Sequence, residues 1–178
     1  MYIQRDLFGG AITAQTASDL VDASDLRQVP DTQEVFMYPH STISIIVEIL
    51  QRVESSHNDD AIRFHFESLA HDNSAQSSHI ESISVIPNER GDQTPPAIVL
   101  HGEQDVPKFN HTQPDKVKIF MALYRVESKG IDLVVTFNVP IEAVDQGAAV
   151  NSKEFEQAQK DFMAFSSSLI IEDFGLFA

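Results

Sequence analysis

The sequence predicts a single α+β domain over residues 1–178, with a mainly antiparallel β-sheet flanked by α-helices. Residues 116–127 and 131–139 place apolar side chains on both faces of an extended chain, and the short link at 128–130 predicts an antiparallel hairpin. Residues 151–169 instead repeat apolar side chains at steps of three and four, which indicates a helix. Because strands that are apolar on both faces need cover on both sides, we expect helices to flank the sheet.

The N-terminal part combines a turn signal with a dense acidic segment. Leu7 and Phe8 run into a Gly-Gly pair, which is typical of a turn that joins two strands, and a short extended run follows at 11–14. The next segment has one cation, Arg27, and four carboxylates, which are Asp19, Asp22, Asp25 and Asp31. Glu34 closes it, directly before a strand predicted at 34–38. We interpret the segment as an acidic loop that is held between apolar anchors and presents its charge to water.

The middle of the chain predicts two further strands and one helix. The β-branched run within residues 42–53 favours a buried strand. Residues 61–70 predict a helix with Asp59 or Asp60 as its cap, and residues 71–79 predict a loop. A strand is expected at 80–86, followed by a Pro- and Gly-containing loop at 87–96.

The last third predicts a strand at 97–104, the hairpin and a capped helix. Asn151 is the predicted N-cap, and Glu154 holds the capping-box position three residues later. Phe155, Phe162 and Phe165 recur on one helix face, which favours a core position against the sheet. The apolar residues 170–178 are expected to dock on the domain.

Composition limits the kinds of partner. Asp and Glu number 27 against 12 Lys and Arg, so the formal net charge is −15. A field of that sign repels phosphate backbones and anionic lipid heads and attracts basic protein surfaces. We therefore expect no nucleic-acid partner and no membrane partner.

The absence of cysteine excludes disulfides, thiolate metal sites and thiol nucleophiles. Residues 1–6 lack the apolar core of a signal peptide, and no apolar run approaches the ~20 residues that a membrane span requires. These observations predict a soluble intracellular protein, and we take a monomer as the default state.

Candidate chemistry is sparse. Asp31 and Glu34 could form an acid/base pair, but their position in an acidic turn favours a solvated face. We expect no metal and no cofactor, because the histidines show neither an HExxH motif nor tight clustering and are expected at the surface or half-buried. They are His40, His57, His65, His71, His79, His101 and His111.

Residues 9–13 (GGAIT) and 22–35, with VPDTQEV at 29–35, resemble the Mog family of nuclear import factors, also called Ran guanine nucleotide release factors. The likeness continues through residues 44–50 and 63–70 and returns at 121–126, 133–140 and 176–178. A match of this length is specific, whereas a lone Gly-Gly pair would not be.

The resemblance implies an α/β/α sandwich similar to the photosystem extrinsic protein PsbP. It implies that the protein binds the small GTPase Ran, promotes release of its guanine nucleotide and supports nuclear import, without being an enzyme. In the family the acids of the Val-Pro-Asp-x-Gln-Glu motif carry Ran binding, and those positions here are Asp31 and Glu34. We expect Asp22, Asp25 and Glu48 to assist them by charge.

The same resemblance implies a nuclear and cytoplasmic location and admits other Ran-binding proteins in a ternary complex. Two alternatives remain open. A carboxylate-based small-molecule hydrolase predicts a deep pocket that holds Asp31 or Glu34. An architectural adaptor predicts an exposed aromatic stripe at Phe155, Phe162 and Phe165.

Overall fold

The structure is a computed structural model that describes residues 1–108, 113–145 and 147–178. Within these ranges the chain forms ten β-strands and two α-helices. The strands are β1 Tyr2–Leu7, β2 Ile12–Ala17, β3 Val21–Asp22, β4 Gln33–Met37, β5 Ser44–Gln51, β6 Ser77–Ile86, β7 Ala97–Val106, β8 Asp115–Val126, β9 Ile131–Glu142 and β10 Ile170–Ile171. The helices are α1 Asn58–Asp72 and α2 Ser152–Ser168.

The strands form two antiparallel sheets. The larger has seven strands in the order β3-β4-β5-β9-β8-β7-β6, and the smaller has the order β1-β2-β10. The predicted hairpin is confirmed, because β8 and β9 pair antiparallel along almost their full length. Gly130 makes the tight link possible, since its φ of 65° lies in the left-handed region that glycine adopts without strain.

The large sheet is covered on both faces, which confirms the α+β prediction. One face packs against α2 and the small sheet, and the other packs against α1. Strand β8 shows the division most clearly: Phe120, Ala122, Tyr124 and Val126 belong to the α2 side, and Ile119, Met121 and Leu123 belong to the α1 side. The alternation predicted for this strand is therefore correct.

The aromatic face of α2 is core. Phe162 and Phe165 are fully buried, and Phe155 is partly buried against Phe120. The prediction of an exposed aromatic stripe, which the adaptor alternative requires, is therefore wrong. The cap is as predicted, because the Asn151 side chain accepts the Glu154 amide while the Glu154 carboxylate accepts the Asn151 amide.

Helix α1 differs from its prediction at both ends. Its N-cap residue is His57, which makes no side-chain cap, and Asp59 and Asp60 lie in the first turn instead. There the two carboxylates still favour the helix, because its N-terminus carries partial positive charge. The helix also runs on to Asp72, and β6 begins at Ser77, so the predicted loop at 71–79 is much shorter.

The small sheet was only partly foreseen. The Gly-Gly turn joins two strands as predicted, but β1 extends back to Tyr2, a segment for which no strand was predicted. The docking of residues 170–178 is confirmed, since β10 pairs with β2 and the amides of Glu172 and Asp173 both donate to Ala11 O.

Gly102 should be intolerant of any side chain. A Cβ atom at this position of β7 would lie 2.8 Å from His79 O and 2.8 Å from Phe66 Cε2. Gly102→Ala is expected to lower the free energy of unfolding by about 1–3 kcal/mol, because neither the strand nor the packed ring can move freely. Urea denaturation measures this, with the exposed Ser84→Ala on β6 as control. A loss below about 0.5 kcal/mol would contradict the close approach.

Candidate functional site

Several of the predicted acidic residues line one open cleft beside β3 and β4, with a volume of about 230 Å³. The lining residues are Phe8, Asp22, Ser24, Val29, Pro30, Asp31, Gln33, Glu34 and Val35. Among the predicted site residues, the structure thus brings Asp22, Asp31 and Glu34 together. It leaves Asp25 and Glu48 outside the lining.

Asp31 is exposed at the corner of a pinned β-turn. The Gln33 amide donates to Pro30 O at 2.9 Å, which closes the turn around Asp31 and Thr32. The Ile49 amide then donates to Thr32 O at 2.9 Å and ties the turn to β5. The Asp31 carboxylate is therefore held on a rigid support and faces solvent.

Glu34 is half-buried and already bound within the protein. Its Oε1 accepts the Phe8 amide at 2.7 Å, so it holds the turn that precedes β2. Phe8 has a φ of 50°, which is uncommon for a residue other than glycine, so this hydrogen bond supports a strained position. Burial raises the pKa of Glu34, the Phe8 amide works against that rise, and the charge of Asp22 adds to it.

The acidic segment is not one continuous loop, which corrects the prediction. Asp22 is in β3 and caps a short 3-10 turn, where its Oδ1 accepts the Ser24 amide at 2.9 Å and the Ser24 hydroxyl at 2.7 Å. Pairing of Asp22 with Phe36 puts its side chain on the same sheet face as Glu34. Asp25 ends the turn and is exposed.

Glu48 lies on the opposite face of the large sheet from Glu34. Glu34 pairs with Val47 across β4 and β5, and neighbouring residues in a strand point to opposite faces. Glu48 consequently faces the α1 side, where Val134 is its partner on β9. The structure therefore places Glu48 outside the acidic cleft that Asp22, Asp31 and Glu34 line.

The cleft keeps its negative charge. In the parts of the chain that the structure describes, neither Asp31 nor Glu34 forms an ion pair with a lysine or arginine. Arg27, the cation of the segment, is exposed and donates from Nη1 to Gln28 O at 3.5 Å instead. The Asp31 carboxylate is thus free to pair with a basic partner.

Leu26 was missed by the sequence reasoning. It follows the 3-10 turn at Ala23–Asp25 and is 69% exposed, which makes it the most exposed large apolar side chain near the cleft. A leucine flanked by polar residues on both sides was the available signal. Val29 and Phe8 add apolar surface to the cleft itself.

The histidines divide by position. His40, His57, His71 and His79 are exposed, His101 is half-buried with its pKa lowered by burial, and His111 lies outside the described residues. His65 differs from the prediction of a surface or half-buried position, since it is 5% exposed and bound to Asp132. No three metal-ligating side chains converge within residues 1–108, 113–145 and 147–178. No helix in those ranges is long and apolar enough to cross a membrane.

Two substitutions at Glu34 should separate its structural role from its charge. Glu34→Ala removes the acceptor of the Phe8 amide and is expected to lower the free energy of unfolding by about 1–3 kcal/mol. Glu34→Gln keeps an oxygen acceptor and removes the half-buried charge. Because the folded-state pKa is raised, ionisation of Glu34 opposes folding as the pH rises, so this variant should equal or exceed the parent in stability at pH 7. Thermal and urea unfolding of both variants would test this, and equal destabilisation would contradict it.

The architecture and the site together define a class. The seven-stranded sheet lies between α1 on one face and α2 with the small sheet on the other, and a short acidic turn is displayed directly before β4. This is an α/β/α sandwich of the α+β class.

The chain belongs to the Mog1 family, whose model, described as "Ran-interacting Mog1 protein", matches residues 5–140. It is 34% identical over 182 residues to the Ran guanine nucleotide release factor of Danio rerio, covering 98% of this chain and 100% of that protein. The human Ran guanine nucleotide release factor is 34% identical over 178 residues, with 96% and 94% covered. The crystal structure of the Saccharomyces cerevisiae Ran-binding protein Mog1p aligns with a TM-score of 0.74 at 25% identity, covering 100% of this chain and 99% of that chain. The resemblance centred on residues 29–35 is thereby confirmed.

Proposed function

We propose that this protein binds the small GTPase Ran through its acidic cleft, promotes release of the bound guanine nucleotide and supports nuclear protein import. Family membership supports the partner, since relatives along nearly the whole chain are named Ran guanine nucleotide release factors. The observation that supports this location of the binding site is Asp31, which is exposed and unpaired on its pinned turn, with Asp22 and Glu34 beside it.

The proposed contact joins charge with apolar surface. Asp31 and Glu34 pair with basic side chains of Ran, and Asp22 and Asp25 strengthen the local negative field. Leu26 and Val29 supply the apolar contact that a stable interface needs at its centre. A rigid support favours this role, because a carboxylate that is already held in place loses little conformational entropy on binding.

Nucleotide release then follows from linkage. A protein that binds nucleotide-free Ran more tightly than loaded Ran must lower the affinity of Ran for nucleotide by the same factor. No covalent step on this chain is required. The hydrolase alternative receives no support from Asp31, which is exposed at the rim of an open cleft instead of enclosed in a deep pocket.

A nucleotide-release assay tests the proposal. Ran loaded with a fluorescent guanine nucleotide should release it faster when this protein is added, and the acceleration should shrink as ionic strength rises, because charge attraction is screened over ~10 Å at 0.1 M salt. A release rate that does not change at saturating protein would contradict the proposal. An acceleration that salt does not affect would contradict the acidic cleft as the contact.

The proposed role places the protein in both the nucleus and the cytoplasm. Nuclear import protein is the name of the yeast relatives, of which the Saccharomyces cerevisiae protein is 30% identical over 160 residues. Fractionation of cells that express this chain would locate it. Other Ran-binding proteins in a ternary complex, and a monomeric state of the free protein, belong to the same proposal.

A further inference from the structure

Helix α1 covers only part of the sheet face on which it packs. An α-helix with its side chains is about 10 Å wide, whereas seven strands spaced ~4.8 Å apart span nearly three times that width. The helix lies over β6 and β7, and on its other side it meets β5, β9 and β8 across a cavity of about 290 Å³. This cavity is on the face opposite to Glu34 and shares no lining residue with the Asp31 cleft.

Two carboxylates give the cavity its charge. Glu48 reaches it from β5 and is half-buried, and Asp72 reaches it from the last turn of α1. Neither has an ion-pair or hydrogen-bond partner among the residues with described placement. His65 also lines the cavity, but its Nε2 is bound to Asp132 Oδ2 at 2.7 Å, so it is already engaged by a carboxylate of its own.

The rest of the lining combines apolar and aromatic side chains with the polar Gln51, Ser68 and Thr136. Met121 and Val134 are 1% and 5% exposed and contribute apolar surface to the cavity. Phe64 lies at the mouth and is 54% exposed, with its ring edge-on to His65 at a centroid distance of 5.8 Å. An aromatic ring beside two carboxylates suits a cation, because the face of the ring carries partial negative charge.

We propose that this cavity binds an arginine side chain of a partner protein other than Ran. The guanidinium group pairs with Glu48 and Asp72 and stacks on Phe64, while its methylene stem contacts Met121 and Val134. Arginine fits better than lysine, because a planar, weakly hydrated guanidinium can form two parallel hydrogen bonds to a carboxylate and stack on a ring at the same time.

A neighbouring cavity favours a protein segment as the occupant instead of a free amino acid. It has a volume of about 480 Å³, shares Gln51 and Phe64 with the first cavity, and is lined by Arg52. The Nε of Arg52 is buried without a hydrogen-bond partner in the described structure. A carbonyl from a residue adjacent to the bound arginine would satisfy that donor.

The test uses N-acetyl-arginine methylamide as the probe in an NMR titration at low ionic strength. We expect concentration-dependent amide shifts at Gln51, Phe64 and Val134. The isosteric citrulline probe, which is uncharged, should give none, and the lysine probe should bind at least about twofold more weakly. Glu48→Gln and Asp72→Asn should each weaken the arginine probe about three- to fivefold, and Phe64→Ala about two- to fivefold.

Glu67→Gln is the matched control, because Glu67 is an exposed acid of α1 that does not line the cavity. It should leave the affinity for the probe unchanged. Four results would each overturn the proposal. They are equal binding of the citrulline probe, a loss of probe affinity in Glu67→Gln equal to that in Glu48→Gln, no binding at a probe concentration on the order of 50 mM, and amide shifts confined to the Asp31 cleft. Because the assay contains no Ran, its outcome is independent of nucleotide release.

Discussion

Asp31→Asn should weaken binding to Ran by at least about tenfold while leaving the free energy of unfolding nearly unchanged. The carboxylate is exposed and has no hydrogen-bond or ion-pair partner among the described residues, so its loss removes nothing from the fold. At the interface the same change leaves a basic side chain of Ran without its counter-ion, and removing one partner of a desolvated pair costs on the order of 2–5 kcal/mol. Titration calorimetry against Ran and urea denaturation of the free variant measure the two effects.

The position of Glu48 supplies the control for this prediction. Glu48→Gln removes the same charge from the opposite face of the sheet and should change Ran affinity less than about twofold at 0.15 M salt, because bulk screening acts over ~8 Å. Glu34→Gln should behave like Asp31→Asn. Unaltered affinity in both cleft variants, or an equal loss in Glu48→Gln, would show that Ran binds elsewhere.

The large sheet was the most predictable part of the fold. Residues 116–127 and 131–139 carry apolar side chains on both faces of an extended chain. Because both faces of the sheet are buried, this pattern specifies two strands at the centre of the sheet. Strand β1 was less predictable, since Tyr2 and Ile3 are exposed and their strand exists because β2 supplies the pairing. Exposed edge strands carry little periodic signal.

The segment of the candidate site could be predicted from the sequence, but its geometry could not. The density of acids between residues 19 and 34 identified the segment, and the residues around Asp31 indicated a turn. The bond from the Phe8 amide to Glu34 spans 26 residues, and no local pattern records it. The separation of Glu34 from Glu48 depends on strand register, which only the assembled sheet fixes.

A buried charge network next to α1 carries the largest expected effect on stability. Asp132, in β9, is fully buried, and its Oδ2 accepts from His65 Nε2 at 2.7 Å and from the Val53 amide at 3.2 Å. Its Oδ1 accepts from Arg125 Nε at 3.3 Å, and Arg125 also donates to the carbonyls of Val53 and Ser55. The network therefore joins α1, two strands and the segment that leads into the helix.

Asp132→Ala should lower the free energy of unfolding by about 3–5 kcal/mol, because it leaves buried donors and the Arg125 charge without their counter-ion. Burial alone would raise the pKa of Asp132, but the hydrogen bonds from His65 and Val53 and the nearby charges outweigh it and lower that pKa. A lowered folded-state pKa means that the stabilisation is complete above the unfolded value of about 3.9 and is lost as the pH falls through the folded value. Urea denaturation at pH 7 and again near pH 3 should therefore show the gap between parent and variant narrowing in acid.

Asp132→Asn distinguishes the charge from the shape of the network. The amide retains one oxygen acceptor, and His65 can accept from its NH₂ group if the ring proton moves to Nδ1, so we expect a smaller loss than in Asp132→Ala. Asp59→Ala, at an exposed position in the first turn of α1, is the matched control and should cost less than about 1 kcal/mol through the helix dipole. If Asp132→Ala lost no more than that control, the buried carboxylate would not be the group that holds α1 against the sheet. A loss of the expected size would instead mean that Asp132 holds α1 in place. Since α1 forms one wall of the cavity lined by Glu48 and His65, that wall would then depend on a buried carboxylate that does not line the cavity.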